Sequence, residues 1–210
     1  PEISSLNRLF VKVGFSTLEV FSEFNRIATT NLQNNFFDAL DPYAPCFVTI
    51  FKSKKGSVGE TLSMFVQQIN SEKPDVTAMH TLVLRGLPVL LGDDPSTFYI
   101  TCFPSDSDEV WARLPVGLKT VIDESMPASP NHLHLDPVSI AIIAKGGIVM
   151  EDLQNLPQAL CLFFGLLYAL HLEYPKAMEN TFNFIQRVML GLGENKLPPK
   201  LQSLKNLLLS

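Results

Sequence analysis

Apolar residues recur at helical spacing through about the first ninety positions of the chain. Val20, Phe21, Phe24 and Ile27 share one face of a helix that Ser16 or Thr17 can cap. A second helix is expected to begin near Asn31 and to carry Leu32, Phe36 and Leu40. It should break near Asp41-Pro42, because proline lacks an amide donor and restricts the residue before it. The apolar run 44–51 fits either helix or strand. Ser57 and Glu60 have capping-box spacing, with Leu62, Phe65, Val66 and Ile69 forming an apolar face behind them. Pro74-Asp75 restarts the chain, Val76, Met79, Val83 and Leu87 make another face, and Gly92-Asp93-Asp94-Pro95 turns it.

The pattern changes over 96–155. TFYITCF (97–103) is aromatic and β-branched and reads as strand or helix, and SDSDE (105–109) reads as an acidic loop. Segments 116–122 and 138–144 have strand composition. AIIAKGGIVME contains the clearest hairpin signal, with Gly146-Gly147 expected to supply the positive φ angles of a two-residue primed turn. ESMPASPN (124–131) is a Pro/Ser-rich loop between strands. Helical spacing then returns: an apolar helix from Leu156-Pro157 to Tyr174-Pro175, and another from Pro175 that Gly193 should cap. A short helix carrying Leu201, Leu204 and Leu208 follows Pro198-Pro199. The expected class is α+β, predominantly helical, with a small antiparallel sheet or hairpin at about 116–150. The expected division is a helical N-terminal half (1–95) and an α+β C-terminal half (96–210) with the sheet and three helices, either separate or integrated in one domain.

Composition narrows the function classes. With 210 residues, 46% of them hydrophobic and 18% charged, the chain can bury a sizeable core. A net charge of −5 argues against a nucleic-acid or anionic-membrane partner, which would need clustered cations. Lys52, Lys54 and Lys55 beside Gly56 read as a solvated helix end. Cys46, Cys102 and Cys161 are odd in number, far apart and without a C-x-x-C pair, so a reducing intracellular setting, cytoplasmic or nuclear, is expected. The chain opens on Pro1 with no charged-then-apolar leader and reads as a fragment of something longer. ALCLFFGLLYAL (159–170) is too short to span a bilayer.

Two blocks, TLVLRGLPVLLGDDPSTFYITCF (81–103) and AIIAKGGIVMEDLQNLPQALCLFFGLLYALHLEYPKAMENTFNFIQRVMLGLG (141–193), resemble the C-terminal half of a fish-rich family. Its members are labelled sterile alpha motif domain-containing protein three-like. The similarity runs from about residue 15 to the end. It implies no assigned activity and carries no catalytic residues onto this chain. It also implies that the sterile alpha motif lies outside this sequence. The family's many copies in fish genomes imply an association with mobile elements.

The candidate chemistry centres on NHLHLDP (131–137). On an extended segment His132 and His134 face the same way, and Asp136 joins them if Pro137 leaves the register intact. Two imidazoles and a carboxylate suit zinc or a 2-His-1-carboxylate iron. The segment lacks the glutamate that continues a cupin motif. His80 and His171, the other histidines, are expected inside buried helices. A solvated loop-to-strand junction explains the pair without any metal, and no cofactor is otherwise implied. The acidic pairs at Asp93-Asp94, Asp106/Asp108/Glu109, Asp123-Glu124 and Glu151-Asp152 sit at turns, where aspartate usually bonds its own backbone.

No G-x-S-x-G or P-loop is present, and His171 is too far along a straight helix to activate Cys161. Met178, Phe182, Ile185, Met189 and Leu192 form an a/d-like seam, either an interaction face or packing against the preceding helix. The expected function is therefore a non-catalytic protein-interaction or self-association module of a larger intracellular protein, with no membrane partner. Two alternatives stand beside it. One is a metal-dependent hydrolase or nuclease-like enzyme using His132, His134 and nearby carboxylates. The other is a mobile-element-derived DNA-associated factor.

Overall fold

The computed structural model describes residues 15–69, 75–107, 111–193 and 196–209. Helix α1 (Thr17–Ala28) opens on a capping box. The Ser16 amide donates to the Glu19 carboxylate (2.8 Å), and the Glu19 amide donates to Ser16 Oγ (3.3 Å). Helix α2 (Leu32–Ser53) starts at Asn31, whose side chain accepts from the Asn34 amide. It runs straight through the expected break, taking in the ambiguous 44–51 run with Pro42 and Pro45 inside it. Both prolines and both carbonyl-bearing residues that they deprive of a partner, Asp38 and Asp41, are solvent-exposed. Water can satisfy those carbonyls. The opposite face buries Leu32, Phe36, Leu40, Ala44, Phe47 and Phe51, and that burial outweighs the local cost.

Helix α3 (Gly56–Gln67) begins two residues too early for the expected Ser57–Glu60 capping box. Lys55 occupies the N-cap and makes no side-chain capping bond. Helix α4 (Val76–Leu91) starts at Asp75, stops at Gly92 with φ +65°, and is buried all round from His80 to Pro88. Helix α5 (Leu156–Ala169) is almost wholly buried. It ends before the expected Tyr174-Pro175 stop, and His171 is consequently exposed, at φ +51°, instead of buried in a helix. Val20 and Leu32 reach into the notch left by Gly165, where an added Cβ would lie 2.6 and 2.9 Å from them. The ring of Phe24 meets Tyr168 at 4.9 Å.

Among the described residues four strands form one sheet in the order β1-β2-β3-β4: β1 (Tyr99–Cys102), β2 (Val116–Val121), β3 (Ser139–Ala144) and β4 (Gly147–Leu153). The sheet is mixed, not antiparallel throughout, because β1 pairs parallel to β2 with Tyr99 opposite Leu118. The undecided segment 97–103 therefore supplies an edge strand. The β3–β4 hairpin is present, but its turn is Lys145-Gly146, at φ +54° and +74°, and Gly147 already pairs with Ala144. Gly146 is required here for a second reason: a Cβ on it would collide with the Ala112 carbonyl.

After α5 the chain makes a 3₁₀ turn and enters α6 (Glu179–Phe184), which continues as a π turn over Ile185–Met189. The expected long helix to Gly193 is thus shortened, and the chain turns at Gly191, φ +63°, before Gly193. Helix α7 (Pro199–Leu208) buries Leu201, Leu204 and Leu208. One hydrophobic core takes Val20 from α1, Leu84 from α4, Ile142 from β3, Phe163 from α5, Phe182 from α6 and Leu204 from α7. Residues on both sides of position 95 share it. The other face of the sheet carries a small cluster of Cys102, Trp111 and Ile143, with Lys119 Nζ 3.4 Å from the Trp111 ring centre.

Candidate functional site

The expected histidine site lies in a loop before β3, not on a strand. His134 adopts φ +47°, which breaks the alternation that would have put His132, His134 and Asp136 on one face. Asp136 is exposed, and among the described residues no group of three metal-ligating side chains comes together. The two rings do meet: their centres are 4.7 Å apart and their Nδ1 atoms 3.2 Å. That contact is a hydrogen bond in its own right. The backbone amide of His134 donates to His132 Nδ1 at 3.1 Å, so this nitrogen carries the lone pair. The proton between the rings then belongs to His134 Nδ1. His134 Nε2 is left with its lone pair, buried and without a hydrogen-bond partner.

The segment is clasped from below. The Gln68 side chain at the end of α3 donates to the Asn131 carbonyl at 2.7 Å and accepts from the Leu133 amide at 2.8 Å. Arg85 on α4 donates from Nη2 to the Pro130 carbonyl at 2.7 Å. Arg85 is only 8% exposed and lies 4.6 Å from the centre of the Tyr99 ring. Its Nε is also buried without a hydrogen-bond partner. Burial pushes the guanidinium pKa down, and burial likewise pushes the Tyr99 hydroxyl up. His134 is pushed down to about 4, first by burial, then by His132 and Arg85, against an opposing pull from the Ser129 carbonyl. At neutral pH it is an uncharged imidazole.

The interaction seam is turned inward. Met178, Phe182 and Ile185 are fully enclosed, Met189 is buried, and Leu192 is half-buried. Phe182 packs against Phe98 and Phe163, both at 5.5 Å, and stacks on Tyr174 at 5.4 Å. These residues contribute to the core, not to an open surface. His80 is buried as expected and pairs with Asp41 through Nε2 at 2.8 Å. The acidic turns perform local work. Asp94 accepts from the Ser96 amide, Asp123 from the Ser125 amide and hydroxyl, and Asp106 from the Phe103 amide. Asp108 and Glu109 lie outside the described residues, and Glu151 and Asp152 are exposed on β4.

Two grooves were not anticipated. One, of about 740 Å³, is lined by Ile27, Leu167, Tyr168, His171, Leu172 and Gln186 among others. The second, of about 460 Å³, runs past Phe98, Pro115, Val116 and Lys145. Leu172, Glu173, Tyr174 and Lys176 line both, so this stretch is a ridge between them. Tyr174 is fixed by its hydroxyl, which donates to Gln186 Oε1 at 2.8 Å. Burial pushes its pKa up, and Tyr168 adds to the rise.

Sequence periodicity cannot reveal grooves whose walls come from α1, the start of β2, α5 and α6. Arg85 did leave a signal, as the lone charge in the apolar run TLVLRGLPVLL. Among the described residues, no helix is long and apolar enough to cross a membrane. Comparisons with protein-family models, with curated proteins and with solved structures find no match to this chain.

Proposed function

We propose that this chain is a non-catalytic binding and assembly module within a larger protein, and that its contact surface is the ridge at Tyr174 with the grooves on either side. The observation that carries this reading is the sharing of one ridge, centred on Tyr174, by two apolar-walled troughs. Such concave surfaces, walled by leucine and aromatic rings with a few polar groups on the rim, suit a segment of another polypeptide. Tyr174 is held from below by Phe182 and from the side by Gln186, so binding needs little reordering of the ridge. Of the two readings of the 178–192 seam, packing within the fold takes up its apolar side chains, which favours an exposed face such as this one as the contact surface. The mixed rim of His171, Glu173, Lys176 and Glu179 favours a protein partner over a polyanion.

The test is site-specific photocrosslinking from positions 172 and 176, read by mass spectrometry, in cells expressing the full protein. A crosslinked protein or second copy that disappears with Leu172→Asp supports the reading. A folded Leu172→Asp variant with an unchanged crosslink pattern, or no crosslink from either position, sinks it.

A further inference from the structure

We propose that segment 129–134 is an acid-released latch: a proton taken up at His134 Nε2, within electrostatic reach of the Arg85 guanidinium, detaches the segment from α3 and α4. The geometry has three parts. The segment is held by a small number of polar bonds, from the two ends of the Gln68 amide and from Arg85 Nη2. Leu133, which lies between the two histidines in sequence and is 3% exposed, packs into the main core as the apolar bolt. The only basic nitrogen of His134 still able to take a proton is the buried, unpartnered Nε2, because Nδ1 already holds its proton toward His132.

A proton at Nε2 places a second buried cation near a guanidinium that, among the described residues, has no carboxylate in an ion pair. The described titratable and charged groups bearing on that nitrogen are Arg85 from α4 and His132 from the segment itself, with Tyr99 of β1 under the guanidinium. None of these carries a compensating negative charge, and the Ser129 carbonyl, which favours the protonated ring, belongs to the segment itself and already accepts from the His132 amide at 3.0 Å. Gln68 of α3 is neutral and already engaged. Release is the remaining way to rehydrate the imidazolium, and it is sterically cheap. The segment is preceded by the Pro/Ser-rich loop and followed by Pro137, and it crosses positive φ at His134 itself. An imidazole that titrates near 6.5 when free and near 4 when latched couples protonation to opening.

Hydrogen exchange at the Leu133 and His134 amides tests this, since both amides donate within the latch. Between pH 7 and pH 4 their protection should fall about a hundredfold after correction for intrinsic exchange, and at every pH they should open at a lower free energy than the amides of α4 and α5, which report global unfolding. The His134→Asn variant keeps a residue that tolerates positive φ and removes the titration. It should show no pH-dependent loss. Constant protection in the wild type, an equal loss in His134→Asn, or latch amides that open only at the free energy of the α4 and α5 amides overturns the proposal. Should the variant not fold, the wild type alone decides. NMR titration of the His134 ring must then coincide with the loss of protection, and a titration displaced from that loss overturns it.

Discussion

Replacing Asp93 by alanine should be among the most damaging single changes available at a polar site in this chain. Its carboxylate accepts from the Asn180 side-chain amide at 2.9 Å, the Thr181 amide at 2.7 Å and the Thr181 hydroxyl at 2.7 Å. It therefore ties the end of α4 to the first turn of α6, the element that carries Gln186 and the wall of the larger groove. A hydrogen bond to a charged group contributes about 1.5–3 kcal/mol, and a buried donor left without a partner costs about 1–3 kcal/mol. Thr181 is fully buried, so its amide and hydroxyl would both be stranded, whereas half-buried Asn180 can turn to water. Allowing for the overlap between bonds to one carboxylate, we expect Asp93→Ala to lose about 3–4 kcal/mol.

Asp93→Asn retains one acceptor oxygen and should lose about half as much. Urea denaturation followed by circular dichroism reads the change as a lower midpoint at unchanged slope. Thr181→Val combined with Asp93→Ala should show a coupling of at least about 1 kcal/mol, because the two side chains share one bond. A loss below about 1 kcal/mol for Asp93→Ala, or additive single and double variants, would refute the reasoning.

Three further outcomes are expected. Gly146→Ala should destabilise the fold by about 2–4 kcal/mol, since it adds left-handed strain to a collision with the Ala112 carbonyl, and a thermal melt will show it. Pro42→Ala should stabilise by about 1–2 kcal/mol by restoring a helix amide on a solvent-exposed face, measurable in the same urea assay; any loss of stability contradicts the account of α2. Because the His134 pKa lies below its unfolded value, the unfolded chain binds the extra proton. That stability is complete above pH 6.5 and drains as pH falls toward 4, by about 2–3 kcal/mol, and urea titrations of His134→Asn at pH 7, 5 and 4 should lack this component.

Much of the architecture was legible because it rests on local rules. Ser16 and Asn31 cap helices where their side chains can reach a free amide, and the α5 run is buried because every face of it is apolar. The errors also have causes. Two prolines three residues apart fall on one exposed face of α2, so helix propensity lost to tertiary burial. The parallel β1–β2 pair depends on how the 103–115 connection closes, which no local pattern encodes. At the histidine pair, residue type and spacing were readable but the positive φ of His134 was not, and that one angle separates Asp136 from the rings. Arg85 was visible as a charge out of place in an apolar helix. Its contacts with Tyr99 and the Pro130 carbonyl were not, because they join positions remote in sequence.

The notch at Gly165 has a consequence for synthesis. Helix α1 seats Val20 against α5, so an element made at the start of this stretch has its partner supplied only when residues 156–169 emerge. Helix α7 adds Leu201, Leu204 and Leu208 to the same core later still. A ribosome-bound chain that stops near position 95 would hold Val20 and Phe24 without the side chains of 156–169 on which they pack. Such a chain should need holding chaperones until residues 156–169 emerge. Cutting the chain at that point should therefore give two aggregating fragments that recover structure only when mixed.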